Sequence, residues 1–163
     1  MADISRDAAR SQIIDIIGDS VYQALGLKEA LEEERRALEA QDMEALNAIV
    51  DSKTRCVEQL QQLDQKRSTL CEQWGFAAGP HQMTSLIEWC DEDQLISARW
   101  EQLMVIAAEG SALNMTNGSI IRLRQQQFEA SLSVLRGGTP GSDTYNRNGG
   151  EGSEYGRRSL AEA

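Results

Sequence analysis

The chain has 163 residues, of which 40% are hydrophobic, and its formal net charge is −10. That charge argues against nucleic acid and anionic membrane surfaces as partners, because both attract clustered Lys and Arg side chains. No stretch approaches the roughly 18 consecutive apolar residues of a membrane-spanning helix. The three cysteines lack the spacing of a zinc site, and the N-terminus lacks the pattern of a signal peptide. We therefore expect a cytoplasmic protein with reduced thiols, no cofactor and no membrane insertion.

A long first helix is predicted from about residue 5 to residue 40. Ser5 can cap its N-terminus, and Asp7 lies in the first turn, where a negative charge is favourable. Apolar or long side chains recur at steps of three and four, which is the pattern of a packed helix. This stripe comprises Ile14, Ile17, Val21, Leu25, Lys28, Leu31, Arg35 and Leu38.

A second helix is predicted from about residue 43 to residue 74. Asp42 is its expected N-cap, and Gly75 followed by Phe76 has the pattern of a left-handed glycine stop. Pro80 marks the break that follows. The apolar stripe of this helix comprises Leu46, Val50, Lys53, Val57, Leu60, Leu63, Arg67, Leu70 and Trp74.

The remainder of the body is predicted to be a short helix or turn over residues 81–90 and a long helix over about 93–135. The acidic run at 91–93 suits a helix N-terminus. Because the link at 40–42 is short, the first two helices must run antiparallel. We therefore predict an all-α fold, an antiparallel bundle of three long helices with coiled-coil-like packing and a short connecting helix. The stripe of the last helix comprises Ile96, Trp100, Leu103, Ala107, Gly110, Asn114, Asn117, Ile121, Arg124, Phe128, Ser131 and Leu135.

The composition changes sharply at Arg136. Residues 136–163 contain seven glycines, four arginines and four acidic residues, and Leu160 is their one large aliphatic side chain. Such a stretch cannot bury enough apolar surface to offset the entropy lost on ordering. We predict a helical bundle domain over residues 1–135 and a flexible, glycine-rich C-terminal tail over residues 136–163.

Three polar or small residues interrupt the stripe of the last helix: Asn114, Asn117 and Gly118. Asparagine on an apolar stripe must find hydrogen-bond partners, and glycine weakens a helix interior. One interpretation is that these residues fix the register of the helices, as a buried asparagine does in coiled coils. The other is that they create a groove or hinge that a ligand segment can use. The sequence leaves both open.

The run from Asn114 to Ile121, Asn-Met-Thr-Asn-Gly-Ser-Ile-Ile, resembles the N-x-x-N-G-x-L-I signature of the FlgN-type flagellar export chaperones, with Ile120 where leucine is usual. Other elements are similar to the same family. Trp100 precedes the asparagine pair, and the tail holds Tyr145 and a Tyr155–Gly156 pair. Earlier in the chain the resemblance rests on Leu31, Glu34, Leu38, the run Asp42-Met43-Glu44-Ala45-Leu46, Lys53, Leu60, Leu63, Arg67, Leu70 and Gly75.

The resemblance implies a cytoplasmic chaperone of the flagellar type III export system. Its partners would be the hook-associated junction proteins FlgK and FlgL, whose C-terminal helical segments it would bind, and the export ATPase and gate components. It also implies that the C-terminal part of the chain binds the substrate protein. The alternative for each apolar candidate on the helix is an ordinary core role, and the alternative for the tail is a disordered terminus without a function. The substrate-binding residues we expect are Asn114, Asn117, Gly118, Ile120, Ile121, Phe128, Leu132 and Leu135, with Tyr145 and Tyr155 in the tail.

Enzymatic and metal chemistry have little support in the sequence. His81 is the only histidine, and it lies beside a Gly-Pro turn without a nucleophile motif. Cys71, His81, Cys90 and Asp91 include metal-ligand types but lack Cys-x-x-Cys spacing. We predict a non-enzymatic protein that holds another polypeptide. The alternative function is a generic helical adaptor or coiled-coil scaffold with no export role, which should self-associate through its long stripe.

Overall fold

The computed structural model describes residues 2–136, and four helices cover most of this range. They are α1 (Ala2–Ala40), α2 (Met43–Gln73), α3 (Gln82–Cys90) and α4 (Leu95–Leu135). No strand occurs between residues 2 and 136. The all-α prediction is therefore confirmed, and the segment at 81–90 is a helix rather than a turn.

The link between α1 and α2 is two residues long. Gln41 adopts a left-handed φ of 60°, and the Asp42 amide donates to the carbonyl of Ala37 at 3.0 Å, which ends α1. The Asp42 carboxylate then accepts from the Ala45 amide at 3.0 Å and caps α2. The chain therefore reverses, and α1 and α2 run antiparallel.

The C-terminus of α2 has the predicted glycine stop. Gly75 has a φ of 88°, a conformation that residues with a Cβ rarely adopt. Its amide donates to the carbonyl of Glu72, and the amide of Phe76 donates to Cys71, each at 2.9 Å. This pair of hydrogen bonds is a Schellman motif, which turns the chain towards α3.

One end of the bundle, which we call the closed end, has the largest apolar core. All four helices contribute to it, and Ile13, Ile17, Leu86, Ile96 and Cys71 have no measurable exposure to solvent. Because α3 lies against α1 and α2 here, the apolar faces of the long helices are covered. The buried members of this core are Ile13, Ile17, Leu70, Cys71, Met83, Leu86, Cys90 and Ile96.

The start of α4 is fixed by Asp91, whose carboxylate accepts from the amides of Ile96 at 2.9 Å and Ser97 at 2.8 Å. Burial alone would raise the pKa of this carboxyl group, but the hydrogen bonds from Ser97 and Ile96 outweigh burial and lower it. Gln94, with a φ of 61°, makes the turn into the helix. α4 therefore begins at Leu95, two residues after the predicted start.

Cross-links along α4 show that it runs parallel to α1. Arg10 pairs with Asp93, and further along Lys28 pairs with Glu109 at 2.7 Å. Beyond these, the side chain of Asn117 donates to the Leu31 carbonyl at 2.9 Å. The three long helices therefore run up, down and up, as an antiparallel bundle requires.

The buried positions differ by one residue from the predicted stripes at several places. Ile13 and Ala24 are buried in α1, whereas the predicted Leu25 is 41% exposed. In α4, Ile106 is buried and the predicted Ala107 is exposed. Adjacent positions on a helix differ by about 100°, so either neighbour can face a partner that lies between them.

The packing divides the chain between Arg122 and Leu123, with one compact unit before this point and a second after it. The boundary lies within α4, earlier than the predicted domain end at residue 135. Within the second unit the structure describes residues 123–136. The predicted flexible tail lies almost wholly outside the described residues, so that division stays a prediction.

Candidate functional site

The first unit contains an apolar groove between α2 and α4, with α1 at its base. Its volume is about 360 Å³. Such a volume is typical of a binding cleft, and its lining is mainly aliphatic. The groove is lined by Ala24, Leu27 and Leu31 of α1, by Lys53, Val57 and Leu60 of α2, and by Leu103, Ile106, Ala107, Gly110, Ser111 and Asn114 of α4.

Exposure increases from the base of the groove to its edges. Leu31 is 2% exposed and Ala24 is 7% exposed, so α1 forms a buried floor. On the α2 side Leu60 is half-buried and Val57 is 39% exposed. On the α4 side Ala107 is exposed. The groove therefore presents apolar walls to solvent above a floor that belongs to the core.

Three of the six residues of the α4 wall are small. Ala107, Gly110 and Ser111 follow one another along it. A Cβ atom placed on Gly110 would be 3.9 Å from the Leu31 Cδ1 atom, an ordinary van der Waals contact. Among the described residues, close packing thus does not require a glycine at this position. Its effect is to leave space in the groove.

A polar cluster lies at the end of the groove nearest Leu31. The Lys53 ammonium donates to both carboxylate oxygens of Glu34, at 2.8 and 2.9 Å. The side chains of this pair are only 23% and 12% exposed. Asn114 lines the same end and is exposed, whereas Asn117 joins the cluster from below. The groove therefore has one polar end and one apolar end.

Asn117 is the most buried polar residue of this cluster, at 1% exposure. Its Nδ2 donates to the Leu31 carbonyl at 2.9 Å and to Glu34 at 2.8 Å. These bonds join α4 to α1 at one register, which supports the first of the two sequence interpretations. Within residues 2–136 its Oδ1 has no hydrogen-bond partner, a costly arrangement for a buried oxygen.

The second unit carries an apolar surface of its own, which we call the distal stripe. It consists of Phe128, Leu132 and Leu135, spaced four and three residues apart on α4 and therefore on one helix face. Phe128 is 65% exposed and Leu135 is 82% exposed, while Leu132 is half-buried. Large apolar side chains exposed at this spacing are typical of a helix that packs on another polypeptide.

The other predicted substrate-binding residues are dispersed. Gly118 and Ile120 are half-buried, and Ile121 is 37% exposed. Tyr145 and Tyr155 lie outside the described residues. The structure thus places Asn114 in the groove, Asn117 beneath it and three residues in the distal stripe, and their roles in binding stay predictions.

The sequence offered a groove near Asn114 as one of two interpretations, but it did not identify the rest of the lining. The lining comes from three helices, and residues such as Ala107 and Gly110 are unremarkable on any one of them. The available signal was the run of small residues on the stripe of α4 opposite Val57 and Leu60. Only the packing of α1, α2 and α4 shows that this run faces an open space.

The described part of the chain offers neither a metal site nor a membrane span. No group of three or more His, Cys, Asp or Glu side chains there could hold a metal ion. None of the helices described has the combined length and apolarity that crossing a bilayer requires.

Comparison with known proteins gives a match to a protein family. The model of a family described as FlgN protein matches residues 10–153, which include the run from Asn114 to Ile121. No curated protein and no solved structure matches the chain.

Proposed function

Since the chain belongs to the FlgN family of flagellar export chaperones, we propose that it binds the C-terminal helical segments of hook-associated junction proteins of the FlgK and FlgL type. It does so in the cytoplasm, without catalysis. Binding keeps these segments, here called the client helix, from assembling early. The chaperone then delivers its client to the export ATPase and gate components.

The observation that best supports this proposal is the exposure of the distal stripe. Phe128 and Leu135 together leave two large apolar side chains in water, at a cost that a bound helix would remove. An amphipathic client helix meets such a stripe with its own residues at steps of three and four. The remaining predicted contacts, Asn114, Asn117, Gly118, Ile120, Ile121, Tyr145 and Tyr155, belong to the same proposal.

The proposal is tested with the double variant Phe128→Ala/Leu132→Ala and a C-terminal helical peptide of a junction protein. We expect the peptide Kd to rise at least tenfold, because aromatic and aliphatic anchors carry most interface energy. Circular dichroism should be unchanged, since Phe128 is largely exposed. Titration calorimetry gives the affinity. Equal affinities for the variant and the parent protein would remove the distal stripe from the site.

A matched control is the double variant Met43→Ala/Val50→Ala on α2. Met43 is 68% exposed and Val50 is 55% exposed, so the apolar surface removed is comparable, at a place outside the candidate site. Its peptide affinity should equal that of the parent protein. A loss as large as that of the distal-stripe variant would indicate nonspecific apolar binding.

The tail has a separate test. We expect that deletion of residues 137–163 weakens peptide binding, because Tyr145 and Tyr155 are then lost as anchors. Calorimetry on the truncated chain measures the effect. Full retention of affinity would exclude the tail from the site while leaving the rest of the proposal intact.

The formation of a complex with the peptide distinguishes a chaperone function from an adaptor or scaffold function. Sedimentation velocity of the chain with and without the peptide gives the stoichiometry. The chaperone proposal requires a soluble complex of defined stoichiometry. Self-association that the peptide does not change would favour a scaffold.

A further inference from the structure

We propose that the groove of the first unit is a second client-binding surface, which receives an amphipathic helix of about three turns with an acidic side chain at the end next to Lys53. This inference rests on the proposed function. It states that a further part of the client binds in the groove, away from the distal stripe, and it specifies which side chains that part carries.

The lining indicates that the occupant is a helix. The floor and both walls contribute residues three or four positions apart, which is the spacing that holds helical knobs between the side chains of neighbouring helices. The α4 wall extends from Leu103 to Asn114, about 17 Å at 1.5 Å per residue. That length equals about three helical turns. The wall residues at this spacing are Ala24, Leu27 and Leu31; Lys53, Val57 and Leu60; and Leu103, Ala107, Gly110 and Asn114.

The closed end shows how a short helix covers apolar faces of the long helices elsewhere in the same unit. There α3 supplies Met83, Leu86 and Cys90 against the apolar faces of the long helices. At the groove, no helix among the described residues does so. The groove therefore offers a further helix a floor on α1 and walls on α2 and α4.

The small residues of the α4 wall indicate which side chains the occupant carries. Because Ala107, Gly110 and Ser111 project little, the occupant's backbone can approach closely and its own side chains must fill the volume of about 360 Å³. Leu, Met or Phe at steps of three and four on the occupant would do this. Polar side chains would leave apolar walls such as Val57 and Leu60 without contacts.

The charge at the Lys53 end of the groove indicates which way the bound helix is oriented. In the part of the chain that the structure describes, Lys53 is the one charged residue of the lining, although the chain as a whole has a net charge of −10. An ammonium group has three donors, and Glu34 accepts two. The third donor and the exposed amide of Asn114 lie at the same end. A carboxylate on the occupant would accept hydrogen bonds from both groups.

The experiment compares two tryptophan variants in α4 by calorimetry with the junction-protein peptide. Ala107→Trp places an indole in the groove from an exposed position, so the helix can accept it. Ala112→Trp, also exposed and not in the lining, points away from the groove on the same helix. We expect at least a tenfold rise in Kd for Ala107→Trp and a change below twofold for Ala112→Trp. Thermal unfolding by circular dichroism confirms that both variants fold.

The outcomes separate this inference from the proposed function. If Ala107→Trp and Ala112→Trp bind the peptide equally well while Phe128→Ala/Leu132→Ala does not bind it, the groove is not a binding surface. The proposed function is then unaffected. Absence of binding to the parent protein contradicts the function itself. If the parent protein is a dimer that Ala107→Trp dissociates, a second copy occupies the groove and the inference is also overturned. Should Ala107→Trp fail to fold, Val57→Asp on the opposite wall, 39% exposed, replaces it with the same expected loss.

The orientation of the bound helix is tested by changing the peptide. Each acidic residue of the peptide is changed in turn to its amide. The Kd of every changed peptide is then measured for the parent protein and for Lys53→Met. One substitution should raise Kd about three- to tenfold with the parent protein and leave it unchanged with Lys53→Met. Effects that are identical in the two proteins would overturn the assigned direction.

Discussion

The closed end and the groove are built by the same long helices, yet one is a sealed core and the other is open. At the closed end α3 covers the apolar faces, and residues such as Ile17 and Leu86 have no exposure. At the groove Leu60 is half-buried and Ala107 is exposed, because the described chain supplies no covering helix. A short helix therefore decides which part of this bundle is sealed within residues 2–136 and which part stays open there.

The largest expected effect is a difference in thiol reactivity between the closed end and a cysteine outside it. Cys71 and Cys90 lie in the closed end, where burial raises the pKa of both thiols, whereas Cys56 on α2 is half-buried. In the native protein we expect Cys71 and Cys90 to react with Ellman's reagent more slowly than Cys56 by a factor on the order of 10³. In denaturant all three should react alike. A native Cys71 as reactive as Cys56 would show that the closed end opens readily.

The second prediction compares leucines. Leu86→Ala removes a fully buried side chain from the closed end and should lower the free energy of unfolding by about 2–5 kcal/mol. Leu60→Ala removes a half-buried side chain from the groove wall, and the loss should be below about 1.5 kcal/mol because solvent already reaches it. Urea unfolding measures both. Equal losses would mean that the groove is part of the core.

The third prediction concerns the two asparagines at the polar end of the groove. Asn117→Ala deletes the hydrogen bonds to Leu31 and Glu34 and should cost about 1–3 kcal/mol of unfolding free energy. Asn114→Ala, at an exposed position, should change it by less than about 0.5 kcal/mol. Urea unfolding at neutral pH again measures the difference. If Asn114→Ala proved as costly, the polar end would be closed rather than open.

The smallest effect concerns the pH dependence of the closed end. The pKa of Asp91 is lowered from its ordinary value of 3.8, because its hydrogen bonds to Ser97 and Ile96 outweigh burial. Its stabilisation is therefore complete above that value and is lost as the pH falls through the lower, folded value. Asp91→Ala should cost about 1 kcal/mol at pH 7 and less below pH 4. A cost that does not change between pH 7 and pH 3 would contradict the capping role.

Much of the fold could be predicted because its boundaries depend on single residues with strong local effects. Asp42 caps a helix, Gly75 stops one, and Pro80 prevents a helix from continuing. The buried face of each helix was predicted less well. Ile13 and Ile14 are equally apolar, and only the position of the neighbouring helices decides that Ile13 is the buried one.

The candidate site could be predicted only in part, for the same reason. Asn117 was recognisable as a polar residue on an apolar stripe, and its buried bonds explain why it lies there. The exposure of Phe128 could not be predicted, since its spacing is identical to that of the buried stripe residues before it. The groove depends on the distance between α2 and α4, and no local pattern specifies that distance.

The two-residue link between α1 and α2 also affects the order in which the molecule can form during synthesis. Contacts between these helices join residues that are close in sequence, as Lys53 and Glu34 are at 19 positions apart, so little chain entropy is lost in making them. Contacts of α1 with α4 span 81 positions at Lys28 and Glu109. A nascent chain would therefore assemble the floor and one wall before the other wall had been translated.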